Sequence, residues 1–313
     1  MKKLTLLFVF LLLLVVVPVA VAQVTTQEAR ALEGARLAQL QYEEVRFQNA
    51  RSGLTLAGLL FLPQGDGPYP AVVIAHGSGN SYRANRWMAT LAGYLQQQGI
   101  AVLLPDKRGS EQSGGDWRTA SFAELAADSA AAAAYLRGRS DLPIQTIGVV
   151  GSSQGGHITP LIAATSTDVD FIVDLSGAAV PIRDVLLYEE RNNLRQMGFL
   201  PGVADLLAYP SVWSITAVRQ KTFWDAAGDY DPLPYWRELS VPALVLYGEE
   251  DTNVPAARSA AALRGLEKPN ITVRVFPGSG HDLEDPPGRG NAMFRDDALQ
   301  EISAFTWVVN GGM

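Results

Sequence analysis

Six largely apolar runs punctuate this chain from residue 71 onward: AVVIAHG (71–77), IAVLLPD (100–106), TIGVVGS (146–152), FIVDLSG (171–177), ALVLYGE (243–249) and TVRVFPG (272–278). The first five do not alternate apolar with polar, so each is expected to be a strand covered on both faces, and TVRVF, with Arg274 among its apolar residues, is expected to be a further strand of the sheet. Helical patterns separate them, over 84–98, over 121–139 and from about Ser153 onward, and a last helix is expected from about Asn291 to Val309. The 121–139 segment opens with Ser121 and, three residues later, Glu124, the signature of a capping box. Its poly-alanine stretch, 130–134, is helix interior. Strands alternating with helices indicate an α/β fold with a mostly parallel sheet flanked by helices. Ahead of them, YEEVRF and LTLAGLLFLP predict an antiparallel pair, with Arg51-Ser52-Gly53 in the turn.

The alternation stops between Val180 and Ser240. That stretch is rich in aromatics, among them Tyr188, Trp213, Phe223, Trp224, Tyr230, Tyr235 and Trp236. It is expected to be a helical lid inserted over the carboxyl ends of the strands, the alternative being an ordinary surface excursion. The expected organisation is one domain over 41–313, with its lid at about 180–240.

The first residues set the compartment. A basic start, MKK, precedes an apolar run from Leu4 to about Val17 and an Ala20-Val21-Ala22 site. This predicts a signal peptide over 1–22, cleaved after Ala22, and hence export to the periplasm or beyond. An uncleaved membrane anchor is the rival reading, since the run approaches the roughly 20 residues that span a bilayer. Pro18 and the small-residue site favour cleavage. Residues 23–40 are expected to form an amphipathic leader helix. Losing Lys2 and Lys3 would take the net charge from −7 to about −9. Such a surface repels phosphate backbones, which argues against nucleic-acid partners. With no cysteine in the chain, thiol catalysis, Cys-ligated zinc, lipidation at cysteine and disulfides are all excluded.

The chemistry is expected at GSSQGG. The frame Gly-x-Ser-x-Gly fits Gly151, Ser153 and Gly155; centred on Ser152, the flanks would be Val150 and Gln154. A nucleophilic serine at this spacing sits on a tight strand-to-helix turn, where small neighbours let the two elements approach. Ser153 therefore is the candidate nucleophile, and it needs a base. Of three histidines, His281 in the loop after the last strand can reach it from outside its own helix. His157 reads as a packed helix residue and His76 as a loop organiser. Asp251, after ALVLYGE, is the candidate to orient the imidazole, with Asp174, Glu249, Glu250 and Asp282 as competitors that otherwise are core or loop charges. The oxyanion donors are expected to be the N–H of Gln154 and the N–H of Ser78. Trp213, Phe223, Trp224, Tyr235 and Trp236 are the candidate pocket walls.

With these residues in place, the chain resembles bacterial α/β-hydrolases of the dienelactone-hydrolase-like and prolyl-oligopeptidase-like group, close to secreted esterases. LAGLLFLP, PAVVIAHGSG, LLPDKRGSEQSGG, GVVGSSQGG, VPALVLYGEEDTNVP and FPGSGHDL carry the resemblance, in the family's order. It implies a Ser-Asp-His triad at Ser153, Asp251 and His281, and a structural turn at Asp106, Arg108 and Gly109. The expected function is cleavage of small to medium carboxylic esters through an acyl-enzyme, with no metal or cofactor. An exopeptidase or acylaminoacyl peptidase using the same triad is the alternative, with Glu189, Glu190, Asp225, Asp229 and Asp231 as possible partners for a substrate amine. A non-catalytic binding protein is the second alternative. Dehalogenase chemistry is disfavoured, because it needs a carboxylate at the position of Ser153.

Overall fold

The structure, a computed structural model, describes residues 37–284 and 294–311. The expected signal peptide and nearly all of the expected leader helix lie outside the described residues. Of the leader only Leu37 to Leu40 is described: Leu37 is helical and residues 38–40 form a turn.

Eight strands form one sheet: β1 (Glu43–Asn49), β2 (Leu54–Phe61), β3 (Tyr69–Ala75), β4 (Ala101–Pro105), β5 (Ile144–Ser152), β6 (Phe171–Leu175), β7 (Ala243–Gly248) and β8 (Ile271–Phe276). Their order is β1-β2-β4-β3-β5-β6-β7-β8. The expected hairpin pairs Glu43 with Leu60 and Asn49 with Leu54, antiparallel. β1 alternates, with Val45, Phe47 and Asn49 inward and charged residues outward, as an edge strand should. β2 pairs antiparallel with β4, and every pairing from β4 through β8 is parallel. β3, β4, β6 and β7 are buried along their whole length, which is why their sequences are apolar apart from Asp174 in β6.

Helices cover both faces. On one, α1 (Arg86–Gln97) and α9 (Asp296–Val309) pack Leu91, Leu95, Leu299 and Ile302 against Val72, Ile74, Val102, Val173 and Leu244. On the other, α2 (Phe122–Arg137), α3 (Gln154–Thr165) and α8 (Ala256–Arg264) pack Leu125, Ile158, Ile162 and Leu263 against Ala71, Val73, Leu103, Val149 and Val245. Successive strand residues serve opposite faces, as the pleat requires. The capping box is present: Ser121 Oγ accepts from the Glu124 N–H, and Glu124 Oε2 accepts from the Ser121 N–H at 2.9 Å. α9 begins at Asp296, later than the sequence pattern suggested; residues 291–293 lie outside the described residues.

The segment between β6 and β7 holds α4 (Ile182–Gln196), α5 (Pro201–Ser214), a π-helical turn (Ile215–Arg219), α6 (Lys221–Ala227) and α7 (Leu233–Glu238). It is not uniform. α7 carries Trp236, fully buried in the main core, whereas α5 leaves Leu206, Tyr209 and Trp213 exposed. The lid proper is therefore α4 to α6, and α7 belongs to the helical layer beneath it. Strand order reverses at β3, since β4 is added on one side of it and β5 on the other. In an open α/β sheet the crevice for ligands forms outside the carboxyl ends at such a reversal.

Candidate active site

Ser153 stands at that crevice, between the end of β5 and the start of α3. Its backbone has φ 52° and ψ −114°, a strained conformation for a residue with a side chain. The cause is the tightness of the turn. A Cβ on Gly151 would lie 2.4 Å from Gly155 O, and one on Gly155 would lie 2.0 Å from Ala75 O. Neither position can hold anything but glycine, so α3 starts directly on β3 and β5, and Ser153 is pushed outward. Its N–H is tied to Leu175 O at the end of β6 at 2.8 Å. Ser152 also borders the crevice, but it is the last residue of β5 and has no such turn.

His281 and Asp251 meet over the same crevice. His281 Nδ1 donates to Asp251 Oδ2 at 2.8 Å. The other carboxylate oxygen accepts the N–H groups of Asn253 and Val254, each at 2.8 Å. The Asp251 side chain is wholly buried, so these three donors replace its water. Tyr188, from α4, donates to the Asp251 carbonyl, and Trp87 Nε1 donates to Asp282 O, which pins the loop carrying His281. Burial alone would lower the pKa of His281; Asp251, and behind it Asp282 and Glu189, outweigh that and raise it above the ordinary histidine value.

The competitors have other partners. Asp174 is buried at the end of β6, where its Oδ1 accepts from the Gly177 N–H at 2.6 Å and its Oδ2 has no hydrogen-bond partner among the described residues. Burial pushes its carboxyl up to about 7. Glu250 is exposed in the loop after β7, and Asp282 is exposed beside His281. His157 is buried in α3 with its Nδ1 accepting from the Ala178 N–H, and His76 donates from Nε2 to Pro105 O at 2.6 Å, joining the ends of β3 and β4. Burial lowers both imidazoles to about 4, so they are neutral at ordinary pH.

The crevice is a cavity of about 850 Å³. Ser153, His281, Gln154 and Ser78 all line it. The loop carrying Ser78 passes over the nucleophile candidate: a Cβ on Gly77 would lie 3.5 Å from Ser153 Cβ. Of the five aromatics expected as walls, Phe223 and Trp224 line the cavity and Trp213, Tyr235 and Trp236 do not. Trp213 is 65% exposed on α5, Tyr235 stacks on Tyr230 against the core, and Trp236 is 0% exposed within it. Their neighbours in sequence give no sign of this, because a short irregular helix has no periodicity to read. Trp117, on a short helical turn between β4 and α2, is a wall that sequence reasoning missed; it meets Phe223 edge-on at 6.1 Å.

Two carboxylates of the lid, Glu189 and Glu190 on α4, also face the cavity. Burial raises the pKa of Glu189, with further upward pushes from Glu190 and Asp251 and an opposing pull from His281. Asp225 and Asp229 are instead exposed and paired with Lys221 and Arg183, and Asp231 Oδ1, just before α7, accepts from the Leu233 N–H. The turn at Asp106, Arg108 and Gly109 ties neighbours together. Asp106 takes both Nε and Nη2 of Arg83 at 2.8 Å, and Arg108 grips Asp128 at 2.6 and 2.9 Å. Between them lies Lys107, a buried cation that the sequence reading passed over. Among the described residues no cluster of three or more histidine and carboxylate side chains is placed to hold a metal ion, and no helix is long and apolar enough to cross a membrane.

Comparison with known proteins places the fold. Esterase EstD of Thermotoga maritima is 27% identical over 249 residues, covering 75% of this chain and 59% of that protein. The acylamino-acid-releasing enzyme of Homo sapiens is 26% identical over 286 residues, 85% of this chain but 36% of its own length. The chain thus spans less than two thirds of either relative. Among solved structures, esterase Pf2001 of Pyrococcus furiosus superposes with a TM-score of 0.62 at 19% identity, covering 85% of this chain and 90% of that one, a likeness of fold. Residues 72–291 match the profile described as the alpha/beta hydrolase family, a span that contains Ser153, Asp251 and His281. The chain belongs to the alpha/beta hydrolase family.

Proposed function

We propose that this protein is a serine hydrolase that cleaves small to medium carboxylic esters through an acyl-enzyme on Ser153. The observation that carries the reading is the convergence on one cavity of an outward-strained serine and a histidine whose Nδ1 is held by a buried carboxylate. With Nδ1 engaged by Asp251, Nε2 is the nitrogen left to take a proton. In the proposed reaction Ser153 Oγ attacks the ester carbonyl carbon as its proton passes to His281 Nε2. The carbonyl oxygen becomes an oxyanion held by the N–H groups of Ser78 and Gln154, where fixed donors are worth most. Collapse expels the alcohol, which takes the proton from His281. Water, deprotonated by the same imidazole, then attacks the acyl carbon and frees the acid and Ser153. Phe223, Trp224 and Trp117 form the apolar wall for the substrate. The N-terminal 22 residues support export of the mature chain.

A second reading has its own observation. Glu189 and Glu190 place two carboxyl groups in the same cavity, which suits a substrate with a free amine, and peptidases are among the relatives. In that reading the substrate is a short peptide and the bond an amide. A panel of p-nitrophenyl esters beside aminoacyl p-nitroanilides separates the two. Faster turnover of acyl esters supports the esterase. Anilides outrunning every ester would overturn it in favour of the peptidase, and turnover of neither, with no fluorophosphonate labelling of Ser153, would overturn both.

A further inference from the structure

Lys107 lies two residues past the end of β4, is 8% exposed, and among the described residues has no carboxylate partner. The acid next to it, Asp106, is taken up by Arg83 and the Gln112 N–H. A buried, unpaired ammonium is costly, and an apolar side chain of similar length would fill the space at less expense. Burial accordingly pushes its pKa down to about 7. Nζ makes two hydrogen bonds, to Gly77 O at 2.8 Å and to Gln154 Oε1 at 2.5 Å, and sits 5.3 Å from the centre of the Trp117 ring.

Those two acceptors belong to the two segments assigned above to the oxyanion. Gly77 O is the carbonyl of the peptide unit whose N–H is that of Ser78. The Gly77–Ser78 bond is trans, so its C=O and N–H point in opposite directions. Gly77, Ser78 and Gln154 line the cavity, whereas Lys107 does not and instead borders a small pocket behind the loop. A carbonyl drawn back toward Nζ therefore turns the Ser78 N–H forward. We infer that Lys107 is a positioning residue: its ammonium, anchored on the Gln154 side chain, clamps the Gly77–Ser78 peptide from behind and so aims the Ser78 N–H at the substrate carbonyl. This rests on the serine-hydrolase reading of the site. It also accounts for a cation buried where packing alone has no use for one. The oxyanion that forms in front of the clamp is the negative charge the lysine otherwise lacks.

The full chain carrying Lys107→Met tests this with three readouts. With p-nitrophenyl acetate, kcat should fall about 10- to 100-fold, the cost of a misaimed group, while KM stays within about threefold. Affinity for an alkyl trifluoromethyl ketone, which adds Ser153 as an oxyanion-bearing hemiketal, should fall in parallel. Affinity for the matching methyl ketone, which stays trigonal, should not. The unfolding midpoint should hold or rise, since an unpaired buried charge has gone. Lys107→Gln, which keeps an N–H donor, should retain more of kcat than the methionine variant, and it carries the same measurements if Lys107→Met does not fold. An unchanged kcat and unchanged fluoroketone affinity in a wild-type background that turns over ester and labels at Ser153 would overturn the clamp alone. An equal loss for both ketones with a lowered unfolding midpoint would also overturn it, marking a structural lysine. A wild-type protein that neither turns over ester nor labels overturns the serine-hydrolase reading, and the clamp with it.

Discussion

The turn around Ser153 and the lid above it bound the same cavity, yet they are built under opposite constraints. At the turn there is no spare volume: Gly155 has Ala75 O in the place of a Cβ. On the lid, Gly202 in α5 has nothing within 4 Å of its own missing Cβ, and Leu200, Leu206, Tyr209, Trp213 and Val218 are exposed. The turn is held by the sheet on three sides, through β3, β5 and the bond to Leu175. The lid is a run of helices that meets the main core through Ile182, Val185, Trp224 and Ala227 and otherwise has only a small satellite cluster of its own, around Leu194, Ala204 and Ala208. Close packing transmits any change of volume, while a loosely packed surface absorbs it. The turn proposed to carry the chemistry is therefore expected to be rigid and intolerant, and the lid proposed to choose substrates to be adjustable.

The largest effect should come from Ser153→Ala, with ester turnover down about 10⁴-fold or more, as groups acting in one unit lose nearly everything together. Ser152→Ala should keep most of the rate. A fluorophosphonate adduct located on Ser152 by mass spectrometry would break the assignment. Asp251→Asn should come next, on the order of 10⁴ in kcat, because the amide favours the wrong imidazole tautomer. Asp174→Asn should cost less than about tenfold, and if it is the more damaging of the two, the acid of the site follows β6.

Two glycine substitutions test the contrast in packing itself. Gly155→Ala should destabilise by about 1–3 kcal/mol or more, the range for overfilling a packed site. Gly202→Ala should be neutral or stabilise by up to about 1 kcal/mol, the helix-propensity difference. Thermal unfolding of the two variants reads both signs, and equal losses would erase the distinction between turn and lid.

Acid should switch the site off. His281 must be neutral to accept a proton, and its pKa is raised by Asp251 against the opposing effect of burial. The acid limb of kcat/KM should therefore lie above the ordinary value of about 6.5 and fall about tenfold per pH unit below it. Glu189→Gln removes one of the charges that raise that pKa, so it should move the limb to lower pH. A profile flat from pH 5 to 9 would exclude a histidine base. The smallest effect belongs to the lid wall: Phe223→Ala and Trp224→Ala should shift acyl chain-length preference by about 1–3 kcal/mol per methylene at most, leaving the rate on the best ester near wild type. Trp213→Ala, exposed and away from the cavity, should leave the ester profile unchanged.

Much of this was legible without coordinates. Most of the sheet follows from its apolar runs, because a strand buried on both faces is almost wholly apolar; β8, only partly buried, carries an exposed Arg274. The hairpin of β1 and β2 follows from alternation and a turn rich in polar residues. The turn at Ser153 follows from glycine spacing, since only glycine fits where a strand and a helix touch. Asp251 could be singled out from the loop after β7, but Asp174 ends a strand on the same edge of the sheet and competes with it on sequence grounds. Only the fold decides between them, by bringing the loops after β7 and β8 together so that His281 reaches one carboxylate. The same holds for the lid. Composition reveals an aromatic insertion, yet which rings face the cavity depends on how four helices are rotated, and no local pattern encodes that. Lys107 is the sharpest case. In sequence it is one basic residue in a turn; its burial, its missing counter-charge and its two acceptors arise from segments 30 and 47 residues away, and long-range contacts of that kind exist only once the chain is folded.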